Sequence, residues 1–157
     1  MKILISIHKQ TLDLIDQGQV QTYLVSTASA GVNSLKGSGG TPLGRHQIRA
    51  KIGEGMPLNS VFIGRRSTGE IYSDDLATQY PERDWILTRI LWLSGLEKGK
   101  NRLGEVDTMQ RYIYIHGTPD SEPMGVPASH GCIRMRNIDI VALFDQVTVG
   151  TEVEIVL

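Results

Sequence analysis

Residues 111–117 read RYIYIHG and residues 129–135 read SHGCIRM. In the first run tyrosine and isoleucine alternate with a period of two, which is the period of a strand and not of a helix. Tyr112, Tyr114 and His116 fall on one side, Ile113 and Ile115 on the other. His116 therefore stands at a strand exit, where Gly117, Thr118 and Pro119 turn the chain. The link between the two runs, TPDSEPMGVPA, carries three prolines and one glycine. It reads as a constrained loop that returns the chain to the same edge of the domain.

Working outward, KILISIHKQTLDLID and QVQTYLVSTA are rich in branched apolar residues on either side of Gln17 and Gly18. They predict a hairpin with its turn at that pair. Residues 31–44 read as a loop, and RHQIRAKIG, NSVFIGR and EIYS as strand pieces. DWILTRILWLSGL, residues 84–96, has another rhythm. Trp85, Thr88, Arg89 and Trp92 follow helical spacing, with Asp84 as N-cap and Gly95 near the exit. This predicts a helix packed on the sheet, or a lid beside a groove. NIDIVALFDQV predicts a short helix capped by Asn137, with Ile140, Val141 and Phe144 inward, and TEVEIV a last strand. The expected architecture is one mainly β domain over residues 1–157 with one or two packed helices.

A chain of 157 residues buries a core without disulfide staples. Its formal net charge is −1 and its basic residues are scattered, so no nucleic-acid partner is expected. MKILISIHKQ lacks the sustained apolar run of a leader or a membrane span. The expectation is a cytoplasmic protein if Met1 is the native start, and a periplasmic or cell-envelope one if an export segment has been removed. Oligomeric state is not encoded in any pattern here. No cofactor is expected. GSGGTPLG lacks the Gly-Lys-Ser/Thr of a phosphate loop, and His116 and His130 lack the spacing of a zinc site.

The single cysteine, Cys132, cannot form an intrachain disulfide. It sits instead among the parts of an acyl-transfer centre: a thiol nucleophile, an imidazole base and backbone donors for an oxyanion. A neighbouring imidazole raises the thiolate fraction of a cysteine. His116 and His130 are both candidate bases, because adjacent residues on an extended strand point apart. Gly131 permits a tight turn, and the amides of Gly131 and Cys132 can face a tetrahedral oxygen. Arg134 is read equally as a carboxylate ligand or a loop brace. Ser129 is read as a structural hydroxyl and Tyr114 as a groove or core residue. His8 and His46 carry no expected chemistry.

Together, His116-Gly117, Ser129-His130-Gly131-Cys132 and the following Ile133-Arg134 resemble the active-site pattern of the L,D-transpeptidase catalytic family, the YkuD domain. VSTA before TPLGRHQI is similar to a VSTG and TPxGxF region common there, so the resemblance runs from about Ile3 to the C-terminus. It implies a β-sandwich-like fold with a lid over a groove. It implies Cys132 as the acyl carrier, His116 as the base oriented by the Gly117 carbonyl, and His130 and Gly131 in support. The implied substrates are peptidoglycan stem peptides or soluble muropeptides. The implied reaction cleaves a tetrapeptide stem with release of D-alanine through a thioester. An amine acceptor then gives L,D-transpeptidation, and water gives L,D-carboxypeptidation, as in trimming of recycled muropeptides. The spacer between His116 and Ser129 is short for the family.

Overall fold

The N-terminal apolar run forms two strands, not one. In the computed structural model, which describes residues 1–157, β1 (Lys2–Ser6) and β2 (Thr11–Asp16) pair antiparallel across a turn. Gln10 makes that break: its backbone is left-handed at φ 52°, and its amide donates to Ile7 O at 2.8 Å and Thr27 Oγ1 at 2.7 Å. β2 then turns into β3 (Gln19–Ser26) with Asp16 opposite Gln19. Gln17 and Gly18 have φ of 48° and 77°, the paired positive values that a two-residue hairpin loop needs.

Next come β4 (Gly44–Ile52), β5 (Ser60–Ile63), β6 (Arg66–Ile71), α1 (Asp74–Gln79) and β7 (Ile86–Gly95). β8 (Tyr114–Thr118), β9 (Ile133–Arg136), α2 (Asn137–Gln146) and β10 (Glu152–Val156) complete the chain. The strands follow the order β4-β10-β1-β2-β3-β9-β8-β7-β5-β6, and β4 pairs back onto β7. Eight strands thus close into a barrel-like sheet, and the β5–β6 hairpin extends outside it. A sandwich of two separate sheets is not what forms. The reason is β7, whose first residues pair with β5 and whose later ones pair with β4, leaving no edge between two layers.

The segment expected to be a helix or lid, residues 84–96, is β7 instead. Seven of the ten positions of ILTRILWLSG are buried, and the other three are half-buried. Leu91 and Leu93 enter the main core, while Ile90 and Trp92 pack beneath β5 with Phe62 and Tyr114. A strand covered on both faces loses its polar alternation and cannot be told from a buried helix by periodicity. A bulge between Leu87 and Ile90, with Thr88 at φ 74°, shifts the register.

The main core of 18 buried residues draws on all eight strands of the closed sheet and on α2. α2 contributes Ile140, Leu143 and Phe144, and Val141 is only half-buried. Asn137 does not cap it. Arg136 occupies the cap position, and Asn137 is the first helical residue. Its side chain is drawn inward, donating to Thr118 O at 2.9 Å and accepting from Thr88 Oγ1 at 2.6 Å. No helix is long and apolar enough to cross a membrane.

That polar bridge lies against Gly117. A Cβ there would stand 2.6 Å from Leu87 O, and closer still to Asn137 Oδ1. Gly117→Ala is therefore expected to cost about 3 kcal/mol, the upper end of the usual overpacking penalty, because neither neighbour is free to move. A urea unfolding titration checks this, and an unchanged midpoint would remove the constraint.

Candidate active site

β8 and β9 run parallel with Ile115 opposite Ile133 and His116 opposite Arg134. The pairing puts Ile115 and Ile133 in the core. Tyr114, His116, Cys132 and Arg134 consequently share the outer face. This outer face is covered by the small cluster of Phe62, Ile90 and Tyr114, against which Cys132 packs. Tyr112 lies just outside β8, with a left-handed φ of 56°, so it does not continue the alternation read from the sequence.

The Cys132 thiol is half-buried between backbone groups. It accepts from Tyr114 N–H at 3.3 Å and donates toward Tyr112 O at 3.4 Å. Burial pushes the thiol up to about 12, against the pull of the Tyr114 N–H; Asp84 raises it further, and Arg134 and Arg111 lower it. His116 is almost fully buried, and its Nδ1 meets Gly117 O at 2.6 Å. A carbonyl only accepts, so Nδ1 carries the proton and Nε2 keeps its lone pair. Burial lowers the His116 pKa, and Gly117 O and Asp84 oppose that shift while Arg134 adds to it. Desolvation of this face thus favours the uncharged form of each group, and so works against the raised thiolate fraction expected from the sequence.

The turn before the thiol is tied by Ser129, whose hydroxyl donates to Cys132 O at 2.6 Å and accepts from Gly131 N–H at 3.2 Å. Gly131 takes φ 129°, which only glycine adopts without strain, and its carbonyl accepts from Thr41 Oγ1 at 2.9 Å. Because Ser129 occupies the Gly131 N–H, that amide is not available to an oxyanion. The N–H groups of His130 and Cys132 are the ones without a protein acceptor. Ser129→Ala would leave the Gly131 donor and the Cys132 carbonyl unpaired in a buried turn. An expected loss of about 2 kcal/mol would be read by urea denaturation; no loss would make the hydroxyl dispensable.

Arg134 is a brace. Its guanidinium is buried and bonded to Asp84 Oδ1 at 3.0 Å, Ala128 O at 3.2 Å and Glu122 Oε2 at 3.5 Å. These partners use its charge inside the protein. His130 is exposed at the rim, with Nδ1 3.3 Å from Asp84 Oδ2. Burial raises the Asp84 pKa, but His116, the His130 contact and Arg134 together hold it below the usual carboxylate value. Asp84 was legible only as a helix cap; it lies 50 residues from Arg134, and no local pattern joins them. His46 is buried between Gly44 O and Thr108 Oγ1 and held near a pKa of about 4 by desolvation. His8 lies in the β1–β2 turn.

A cleft of about 510 Å³ opens over the thiol. Cys132, Tyr112, Tyr114, Arg111, Asp84, His130 and the β5–β6 tip, Gly64 and Arg65, line it. Arg65 and Arg111 were not singled out in the sequence, where each is one arginine among many. Another hollow, about 390 Å³ beside residues 79–83, holds no nucleophile. No group of three or more His, Cys, Asp or Glu side chains is placed to hold a metal ion.

The geometry can be set beside known proteins. A 46-residue stretch is 48% identical to the Escherichia coli protein described as "Probable L,D-transpeptidase YbiS", covering 29% of this chain and 15% of that one. The same length is 52% identical to "Probable L,D-transpeptidase ErfK/SrfK" of Salmonella typhimurium, again 15% of the relative. Among solved structures, L,D-transpeptidase 3 of Mycobacterium tuberculosis with a faropenem-derived adduct superposes with a TM-score of 0.57 at 15% identity. That match covers 99% of this chain and 59% of the other. L,D-transpeptidase 1 of the same organism gives 0.54 at 23%, covering 99% and 61%. These structures share the fold, and the chain spans little more than half their length. The profile of the L,D-transpeptidase catalytic domain matches residues 1–155, so the chain belongs to the YkuD family of L,D-transpeptidase catalytic domains.

Proposed function

We propose that residues 1–157 act as one catalytic unit that cleaves a peptidoglycan tetrapeptide stem at an L-to-D amide, with Cys132 as nucleophile and His116 as base. The observation that carries this is the tautomer of His116: with Nδ1–H held by Gly117 O, Nε2 is the proton acceptor on the face shared with Cys132. As Sγ attacks the carbonyl carbon, the thiol proton passes to Nε2, and the carbonyl oxygen takes up negative charge. The free Cys132 and His130 amides are the candidate donors to that oxygen. Collapse expels the D-alanine amine, which receives the proton from His116, and leaves a thioester on Cys132. Tyr114 N–H steadies the developing sulfur charge. Gly131, Ser129 and Arg134 position the thiol turn, and the Gly64-Arg65 tip takes the covering role of a lid.

The thioester passes to an amine acceptor, giving an L,D-crosslink. Attack by water on the same thioester would make the enzyme an L,D-carboxypeptidase. Mass spectrometry of products from a disaccharide tetrapeptide separates the two. Dimers, or stems whose last residue has exchanged with an added D-amino acid, are expected for transpeptidation. Tripeptide alone would assign carboxypeptidation, and an untouched substrate would remove the proposed donor.

A further inference from the structure

Arg45, Arg83 and Arg134 each meet a carboxylate: Glu152, Glu70, and both Asp84 and Glu122. Arg65 and Arg111 meet none, although both line the thiol cleft. Arg111 is tied to backbone, donating to Gly40 O at 2.8 Å and Asn33 O at 3.2 Å. Arg65 is held differently. Its guanidinium carbon lies 4.7 Å from the ring centroids of both Trp92 and Tyr112, and Nη1 donates to Tyr114 Oη at 3.0 Å. The side chain stands half-buried at the tip of the β5–β6 hairpin, on a backbone with φ 65° that favours glycine.

Stacking on aromatic faces fixes a guanidinium without covering its edge, and only one of its nitrogens is engaged by protein here. The remaining N–H groups form the planar fork that takes a carboxylate through two parallel hydrogen bonds. A fixed cation with no anionic partner, on the wall of a cleft that holds a nucleophile, is a receptor for an anion carried by the substrate. Arg111 lines the same cleft and adds positive potential there, which suits a peptide that carries a carboxylate.

We propose that Arg65 is a substrate-binding residue that holds a free carboxylate of the stem peptide in the cleft beside Cys132 and discriminates against the corresponding carboxamide. This rests on the peptide-cleaving reading above. The carboxylate has two possible sources, the C-terminus of the stem or an acidic side chain within it, and the same chemistry serves both.

The test uses the full chain carrying Cys132→Ala, so that binding is read without turnover. Isothermal titration is run with the disaccharide tetrapeptide, with its C-terminal carboxamide, and with its side-chain carboxamide. Amidation of one source is expected to weaken Kd at least about tenfold, the cost of losing a hydrogen bond to a charged group. Whichever amide weakens it names the source. Adding Arg65→Gln should weaken the free acid to the same degree and abolish the discrimination, and Arg65→Lys should restore it only in part. Melting temperatures of the variants control for folding. Equal Kd values with and without Arg65, indifference to both amidations, or no binding of any probe would each overturn the assignment. Failure of the underlying reading is distinct: it would show as no turnover of the tetrapeptide by the wild-type chain.

Discussion

Replacing His116 with alanine is expected to lower kcat at least about a thousandfold, whereas His130→Ala costs less than about tenfold. The two histidines are equivalent in the sequence and different in their settings. His116 is buried on the thiol face with its tautomer fixed by Gly117 O. His130 is exposed, and its Nδ1 faces Asp84. A base that receives the thiol proton must be neutral, with one nitrogen bearing a lone pair. The desolvation that lowers the His116 pKa favours that state. The acid limb of kcat/KM should accordingly lie below the ordinary histidine value of about 6.5. Steady-state rates of D-alanine release from the tetrapeptide read both variants. Loss of activity in His130→Ala with retention in His116→Ala would transfer the base to the rim pair of His130 and Asp84.

At pH 7 Cys132 should react with iodoacetamide at least about a hundredfold slower than a free cysteine, whose pKa is about 8.5. The cause is the burial that pushes its thiol up to about 12. The sign follows directly. A raised thiol pKa keeps the proton on, so the thiolate fraction, and with it the alkylation rate, climbs about tenfold per pH unit through the alkaline range. A free cysteine levels off above about pH 9. That behaviour would mark a centre that is not a standing thiolate–imidazolium pair, one in which the proton leaves sulfur as the carbonyl carbon arrives. A fast reaction at pH 7 that levels off below about pH 8 would mean a charged resting pair and would contradict that order of events.

How far the sequence discloses this molecule depends on the range of each interaction. The Gln17-Gly18 hairpin, the strand that carries His116, and the Ser129 to Cys132 turn are settled by neighbours a few residues apart, and each was legible as a pattern, although the strand runs on to Thr118 and does not end at His116. β7 was not, because its burial on both faces erases the polar alternation that marks a strand. The error propagated to Asp84, which read as a helix cap and instead joins His130 and Arg134 at the cleft. Asn137 read as a cap for the same reason, since its true partners, Thr88 and Thr118, arrive from β7 and β8. Arg65 gave no signal: its setting is made by Trp92 and Tyr112, which only the closed sheet brings beside it. Barrel closure itself depends on β4 meeting β7, a pairing that no local run announces.

Whether Cys132 carries the acyl group is read by intact-protein mass spectrometry after brief mixing with the tetrapeptide and an acid quench. A thioester to Cys132 should add the mass of the stem less its terminal D-alanine to the wild-type chain, and add nothing to Cys132→Ala. Product formation without any such adduct, or the same adduct on Cys132→Ala, would rule out Cys132 as the acyl carrier.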